Sequence, residues 1–177
     1  MVIIYIRHAK KLYYNASTNE QYGWDADLTD DGIAEANTLG AELIKLYGIP
    51  TTIYCSPFKR TRDTLNALFG HLDDIERPIA YCDNRISEFL GNWQEKEIKV
   101  TPETAKYNPP VDNIKDFEAR VKEHHIEILQ HKATEVIWVI THNLVMKKVT
   151  KYYSIKMKEV PELGYFVISN GTLKLKY

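Results

Sequence analysis

The chain has 177 residues, the length of one large domain or at most two small ones. Its 23 Lys+Arg against 24 Asp+Glu leave a formal net charge of −1, without the basic excess of a protein that coats nucleic acid. With 44% hydrophobic and 27% charged residues it is a globular mixture, and eight Gly with seven Pro exclude collagen-like and linker-like chains.

Val2-Ile3-Ile4-Tyr5-Ile6 is a continuous β-branched and aromatic run, which predicts a strand buried on both faces. Asn15, Ser17, Asn19 and Gly23 break the next segment, so residues 8–28 are expected as loop. Thr29 can cap a helix whose first turn holds Asp30 and Asp31, where the helix dipole favours acids. Ile33, Ala36, Gly40, Leu43, Ile44 and Tyr47 follow at helical spacing, and Gly48 and Pro50 end it. Residues 51–55 predict a second strand. Ser56-Pro57 predicts an N-cap with proline at the first helical position, and a helix to about Phe69. Residues 79–82 form a short extended piece. Residues 83–112 read as irregular, with Gly91, Pro102, Pro109 and Pro110, and a loop of that length in a compact domain is usually functional or mobile.

A long amphipathic helix is predicted from Asn113 to about His131, with Ile114, Phe117, Val121 and Ile128 on one face. Residues 136–140 predict another buried strand and residues 144–153 a helix. Tyr165–Ser169 and Thr172–Lys176 flank Asn170-Gly171, a pair suited to a hairpin turn with positive φ at both central positions. No repeat or domain boundary interrupts the pattern. Strands alternating with helices predict one α/β domain over residues 1–177: a three-layer α/β/α sandwich around a mostly parallel sheet, with a C-terminal β-hairpin.

No segment approaches the ~20 apolar residues of a membrane helix. Nothing in the first residues reads as a leader, so a cytoplasmic protein with no membrane partner is expected. Cys55 and Cys82 are too few for a disulfide framework and read as reduced, partly buried thiols.

Active sites of open α/β sheets gather at the carboxyl ends of the strands. Arg7-His8 follow the first strand, Ser56 to Arg60 the second, and His142 the strand at 136–140. Singly, each has an ordinary reading: a chance pair, a solvated arginine, a capping or core-bonded histidine. Together they describe a pocket with two guanidinium groups and two imidazoles. Such a pocket fits phosphate, because arginine binds phosphoryl oxygens bidentately and stays charged.

At these residues the sequence resembles the histidine phosphatase superfamily, which includes the cofactor-dependent phosphoglycerate mutases and many small phosphatases. Arg7-His8-Ala9 is similar to the family's Arg-His-Gly. Gly23-Trp24-Asp25-Ala26-Asp27-Leu28-Thr29, with Gly32 and Glu35-Ala36, resembles its Asp-x-x-Leu-Thr-x-x-Gly-x-x-Glu/Gln-Ala block. Ser56-Pro57-Phe58-Lys59-Arg60-Thr61-Arg62-Asp63-Thr64 resembles Ser-Pro-Leu-x-Arg-Ala-x-Gln-Thr, and Thr141-His142-Asn143 stands where the family has Ser/Thr-His-Gly. The resemblance covers roughly residues 1–170 and rests on the order and spacing of four blocks.

The resemblance implies phosphomonoester hydrolysis through a phosphohistidine on His8, with Arg7, Arg60 and His142 binding the phosphoryl group. Cationic neighbours suit such a nucleophile, since they favour neutral histidine and stabilise charge on the transferring oxygens. Neither a metal nor a cofactor is expected, because the arginines supply the charge. Ile86-Ser87-Glu88-Phe89-Leu90-Gly91-Asn92-Trp93 resembles Leu-x-Glu-x-x-x-Gly-x-Trp with one residue missing, which implies Glu88 as general acid; Asp83 and Glu95 are the alternatives. Asn143 and Asn15 are further substrate-binding candidates, Asn15 lying one residue later than the mutase-branch Asn. Ala9 and Asn143 replace glycines, which predicts a narrower pocket.

The substrate is expected to be a phosphorylated small molecule or a phosphoprotein, with no nucleic acid. Mutase-type phosphotransfer and a non-catalytic phosphate-binding module are the rival functions; the segment between Glu88 and His142 is short for a glycolytic mutase, and binding alone does not need the nucleophile. Lys10, Lys11, Tyr13, Tyr14 and Lys59 are expected near the pocket mouth, and residues 94–112 suggest a lid carrying Lys96, Lys99, Lys106 and Tyr107. His124, His125 and His131 lack metal-site spacing on one helix face and read as solvated.

Overall fold

The computed structural model describes residues 1–12, 14–15, 20–21, 25–72, 78–89 and 113–176. In chain order the elements are β1 (Val2–Arg7), β2 (Tyr14–Asn15), β3 (Glu20–Gln21), α1 (Asp30–Tyr47), β4 (Thr52–Cys55), α2 (Lys59–Leu68) and β5 (Ala80–Cys82). A 3-10 turn (Asn84–Ile86) follows, then α3 (Ile114–Ile128), β6 (Val136–Thr141), α4 (Asn143–Tyr152), β7 (Tyr165–Ser169) and β8 (Thr172–Lys176). β2 and β3 pair with each other apart from the main sheet. No described helix is long and apolar enough to cross a membrane.

The main sheet has the order β5-β4-β6-β1-β7-β8. β5, β4, β6 and β1 run parallel, while β7 pairs antiparallel to β1 and to β8. β1 and β6 are apolar at every central position because each face meets a helical layer. Ile3, Tyr5, Ile137 and Val139 pack with Phe117, Val121 and Ile128 of α3 and Val145, Met146 and Val149 of α4. Ile4, Ile6, Trp138 and Ile140 pack on the opposite side with Leu43 of α1 and Leu68 of α2. The fold is therefore the expected α/β/α sandwich, and the C-terminal hairpin has the expected strands, with positive φ at Asn170 and Gly171.

Thr29 caps α1 as expected, accepting from Gly32 N. The buried stripe of α1 is Gly32, Ala36, Gly40 and Leu43, while Ile33 is half exposed. Gly40 is where α1 meets α2: a Cβ there would lie 1.8 Å from the Leu68 carbonyl oxygen.

Three expectations are corrected. α2 begins at Lys59 rather than at Pro57, and Ser56 is not its cap: the Ser56 hydroxyl bonds the His142 ring instead. The opening amides of α2 are satisfied by a distant carboxylate, Asp25, which accepts from Lys59 N at 2.7 Å and Arg60 N at 3.2 Å. In α3, Ile114 is exposed, and the buried stripe contains His124 and His125. These are core histidines, not a solvated face. His125 Nδ1 meets the buried Tyr5 hydroxyl at 3.0 Å and its Nε2 meets the Tyr153 hydroxyl at 3.2 Å. His131 Nε2 likewise meets the Tyr54 hydroxyl, at 3.0 Å. The two cysteines are free and face each other across the β4–β5 register, Cys55 buried and Cys82 exposed.

Candidate active site

The parallel ladder continues one residue past the strands and brings their ends into step. His8 N donates to Thr141 O, Ser56 N to Ile140 O, and Asp83 N to Cys55 O. Arg7-His8, Ser56 and His142 thus meet at one edge of the sheet, and α2, starting just after Ser56, adds Arg60. Arg7, His8, Arg60, Glu88 and His142 come together there; His8, Arg60 and His142 are almost wholly buried.

The hydrogen bonds assign the tautomers. His8 Nδ1 lies 2.8 Å from Ala9 O, and a carbonyl can only accept, so Nδ1 carries the proton and Nε2 keeps its lone pair. His142 Nδ1 lies 3.1 Å from Arg60 Nη2, which can only donate. Its proton therefore sits on Nε2, 2.8 Å from the Ser56 hydroxyl. The two imidazoles stand edge to face at 5.5 Å, and Phe58 packs against His142 at 4.8 Å.

Electrostatics favour neutral rings. Burial, and then the Arg60 charge, hold the His8 pKa well below the usual histidine value, with Arg7 acting the same way. Burial, Arg60 and His8 do the same for His142. Burial raises the Glu88 pKa, while Arg60 and Arg7 pull it partly back. The 3.8 Å approach of Glu88 Oε2 to His142 Nδ1 is accordingly a contact to a neutral imidazole rather than an ion pair.

The arginines are fixed from behind. Arg60 Nη1 meets Asp25 at 3.2 Å, the carboxylate that also caps α2. Arg7 Nη1 donates to Val160 O and to Glu159 at 3.2 Å, in the segment between α4 and β7. Arg7 Nε and Glu88 Oε1 are buried without hydrogen-bond partners in the described residues. A buried donor left open beside the His8 ring is what an oxyanion ligand would complete.

The remaining candidates divide. The Asn143 side-chain oxygen is committed to Val160 N at 2.9 Å. The Ala9 methyl is buried among Leu28, Ala36 and Ala67, and its amide bonds the Thr64 hydroxyl. Asp83 accepts three side-chain bonds from Arg85; burial would raise its pKa, but these bonds lower it, which keeps it ionised and unsuited to donate a proton. Lys59 pairs with Asp63 and Asp27, Lys11 is partly buried beside Leu28, and Lys10 is exposed. The backbone of Asn15 belongs to β2; its side chain, Glu95, Tyr13, the Gly91–Trp93 end of the motif and the expected lid lie outside the described residues.

Asp25 stands in the sequence inside a motif, with no role expected of it. Its only local signal was its place in the Asp-x-x-Leu-Thr block, 35 residues from the arginine it holds.

Solved structures share this fold. An alpha-ribazole phosphatase from Shigella flexneri superposes with a TM-score of 0.69 at 17% identity, over 99% of this chain and 95% of that one. A phosphoglycerate mutase from Bacillus anthracis gives 0.68 at 15%, over 99% and 91%. A mycobacterial glucosyl-3-phosphoglycerate phosphatase gives 0.66 at 15%, over 99% and 96%. These likenesses show a shared fold. A search of curated proteins finds no match. The family model of the histidine phosphatase superfamily (branch 1) matches residues 3–174, and the chain belongs to that superfamily.

Proposed function

We propose that the chain is a metal-independent phosphomonoesterase of the cytoplasm, a single catalytic domain working through a phosphohistidine on His8. The supporting observation is the His8 ring: its Nδ1 proton is held by Ala9 O, so the free lone pair is on Nε2, in a buried site beside Arg7, Arg60 and His142. Nε2 attacks phosphorus and the ester oxygen leaves with its bonding pair, taking the proton of Glu88. Water, losing a proton to the Glu88 carboxylate, then attacks the phosphohistidine, releasing phosphate and restoring neutral His8. Arg7 and Arg60 bind the non-bridging oxygens, where charge concentrates, and with substrate bound His142 joins them through Nδ1 in the tautomer whose Nε2 accepts from the Ser56 hydroxyl. A covalent intermediate divides one difficult displacement into two. Asn143 acts on this pocket through Val160, and Asn15 is a further candidate contact. The substrate is a phosphorylated metabolite or phosphoprotein.

The test is rapid quenching with labelled substrate in excess chelator. The parent is expected to carry acid-labile, base-stable label and His8→Ala none. Equal labelling of the two proteins would refute His8 as nucleophile, and loss of turnover in chelator would refute metal independence. Formation of an isomeric phosphate ester instead of inorganic phosphate would identify a mutase.

A further inference from the structure

Glu88 has no strand or helix to hold it. It follows a single 3-10 turn, and the backbone ladder that aligns His8, Ser56 and His142 does not reach it. Its segment is held instead by a side chain from α3. Arg120 Nη1 donates to Arg85 O and Ser87 O at 2.8 Å each and to Asn84 O at 3.3 Å, and Nη2 reaches Glu88 O at 3.4 Å. Four carbonyl oxygens of five consecutive residues thus converge on one guanidinium.

The same helix supports the next residue. The Arg120 guanidinium lies over the Phe117 ring at 4.8 Å, and Phe117 packs on Phe89 at 5.3 Å. From the opposite side the Thr141 hydroxyl donates to Ile86 O at 2.7 Å, one residue before His142. Glu88 is therefore presented by a backbone clamped between α3 and the end of β6, with Oε2 3.8 Å from His142 Nδ1.

We infer that Arg120 is a positioning residue for proton transfer, its guanidinium holding the backbone of residues 84–88 so that the Glu88 carboxyl meets the leaving group. This rests on the reading of Glu88 as general acid. A guanidinium suits the task because its donors point outward in one plane and it is always charged, whereas an ammonium cannot span carbonyls so spread. The role is distinct from phosphate binding, since the donors described here go to protein carbonyls. Misplacing an acid by about an ångström costs on the order of a hundredfold in rate, and only where the leaving group needs the proton.

The experiment compares an alkyl phosphate with an activated aryl phosphate in four proteins: Glu88→Gln, Arg120→Met, Arg120→Lys and the Glu88→Gln/Arg120→Met double variant. Arg120→Met is expected to lower kcat on the alkyl ester roughly 10–100-fold while changing the aryl ester less than about threefold. Vanadate affinity should be unchanged. Arg120→Lys should recover little of the loss, because it restores the charge near His142 but not the fork. In the double variant Arg120→Met should add almost nothing to Glu88→Gln.

If Glu88→Gln is selective for the alkyl ester but Arg120→Met slows both substrates equally, or neither, the inference falls and the general acid stands. Full recovery by lysine, or additive losses in the double variant, overturns it as well. If Glu88→Gln itself is unselective, the general-acid reading fails and the inference with it. Circular dichroism and thermal unfolding report folding in each sample, and Arg120→Gln replaces Arg120→Met if the latter does not fold.

Discussion

Four buried histidines should make this fold unusually sensitive to mild acid. His8, His124, His125 and His142 are each at most 4% exposed, and all four have pKa values below the ordinary histidine value of 6.5. Burial pushes His125 down to about 4; it does the same for His124, with Asp83 opposing. For His124 and His125 the unfolded chain protonates the ring near pH 6.5 while the folded chain resists until about pH 4, so their contribution is intact above 6.5 and drains as pH falls between these values; His8 and His142 shift in the same direction. Each such ring contributes a slope of about 1.4 kcal/mol per pH unit, and His125 alone about 3 kcal/mol across its window. Against a typical total of about 5–15 kcal/mol, the loss from His124 and His125 together is a large fraction of the stability by pH 4. Glu88, whose pKa is raised in the fold, offsets only one proton of this demand. His125→Gln isolates one ring: glutamine can bond Tyr5 and Tyr153 but does not titrate. Urea unfolding at half-unit intervals from pH 8 to 4, in phosphate-free buffer so that anion binding does not intervene, should show the variant's curve flattened by about 1.4 kcal/mol per unit below pH 6.5. Parallel curves for parent and variant would show that His125 is not held neutral by the fold.

Two further stability predictions follow from close contacts. Asp25→Ala removes a buried carboxylate that serves two helix amides and Arg60, and should cost about 3 kcal/mol, a fall of roughly 6–12 °C in Tm by thermal scan; a loss under 1 kcal/mol would deny it that role. Gly40→Ala puts a methyl against the Leu68 carbonyl and should destabilise by about 1–3 kcal/mol or more, read as a lower urea midpoint, because two helix backbones must separate. An unchanged midpoint would mean that α1 and α2 do not pack that closely.

What could be read from the sequence was what local pattern determines. β1 and β6 are apolar at their central positions because they are central strands covered on both faces, and the Asn170-Gly171 turn announces its own φ angles, so these elements were legible from a few residues each. The start of α2 was not, because its cap is Asp25, 34 residues away, and the serine expected to cap it is bonded to His142. The burial of His124 and His125 is hidden from the sequence for the same reason. A histidine counts as polar until its partners are known, and those of His125 lie on β1 and at the end of α4. Arg7, His8, Arg60 and His142 were identifiable as a group because strand ends converge, but Glu88 entered only through a family pattern. Arg120 carried no local signal at all, since its ligands are backbone carbonyls that any sequence supplies.

Asn143 shows how a departure from the family pattern can be absorbed and then used. The family's glycine at this position offers no side chain, whereas Asn143 Oδ1 accepts from Val160 N at 2.9 Å, and Val160 O in turn accepts from Arg7 Nη1. The asparagine therefore ties the start of α4 to the segment that aims Arg7, where Glu159 adds a more exposed contact to the same nitrogen. Asn143→Gly deletes the first link and leaves Val160 N without its partner. One such bond is worth about 1 kcal/mol, so Tm should fall by roughly 2–4 °C. The functional consequence should appear in Arg7 and not in Glu88: weaker phosphate and vanadate binding by a fewfold, with the ratio of alkyl to aryl hydrolysis unchanged. Isothermal titration with vanadate and the two-substrate rate ratio read these separately. Unchanged vanadate affinity at a lowered Tm would reduce Asn143 to a packing residue, and a shifted rate ratio would place its influence on Glu88 rather than on the anion.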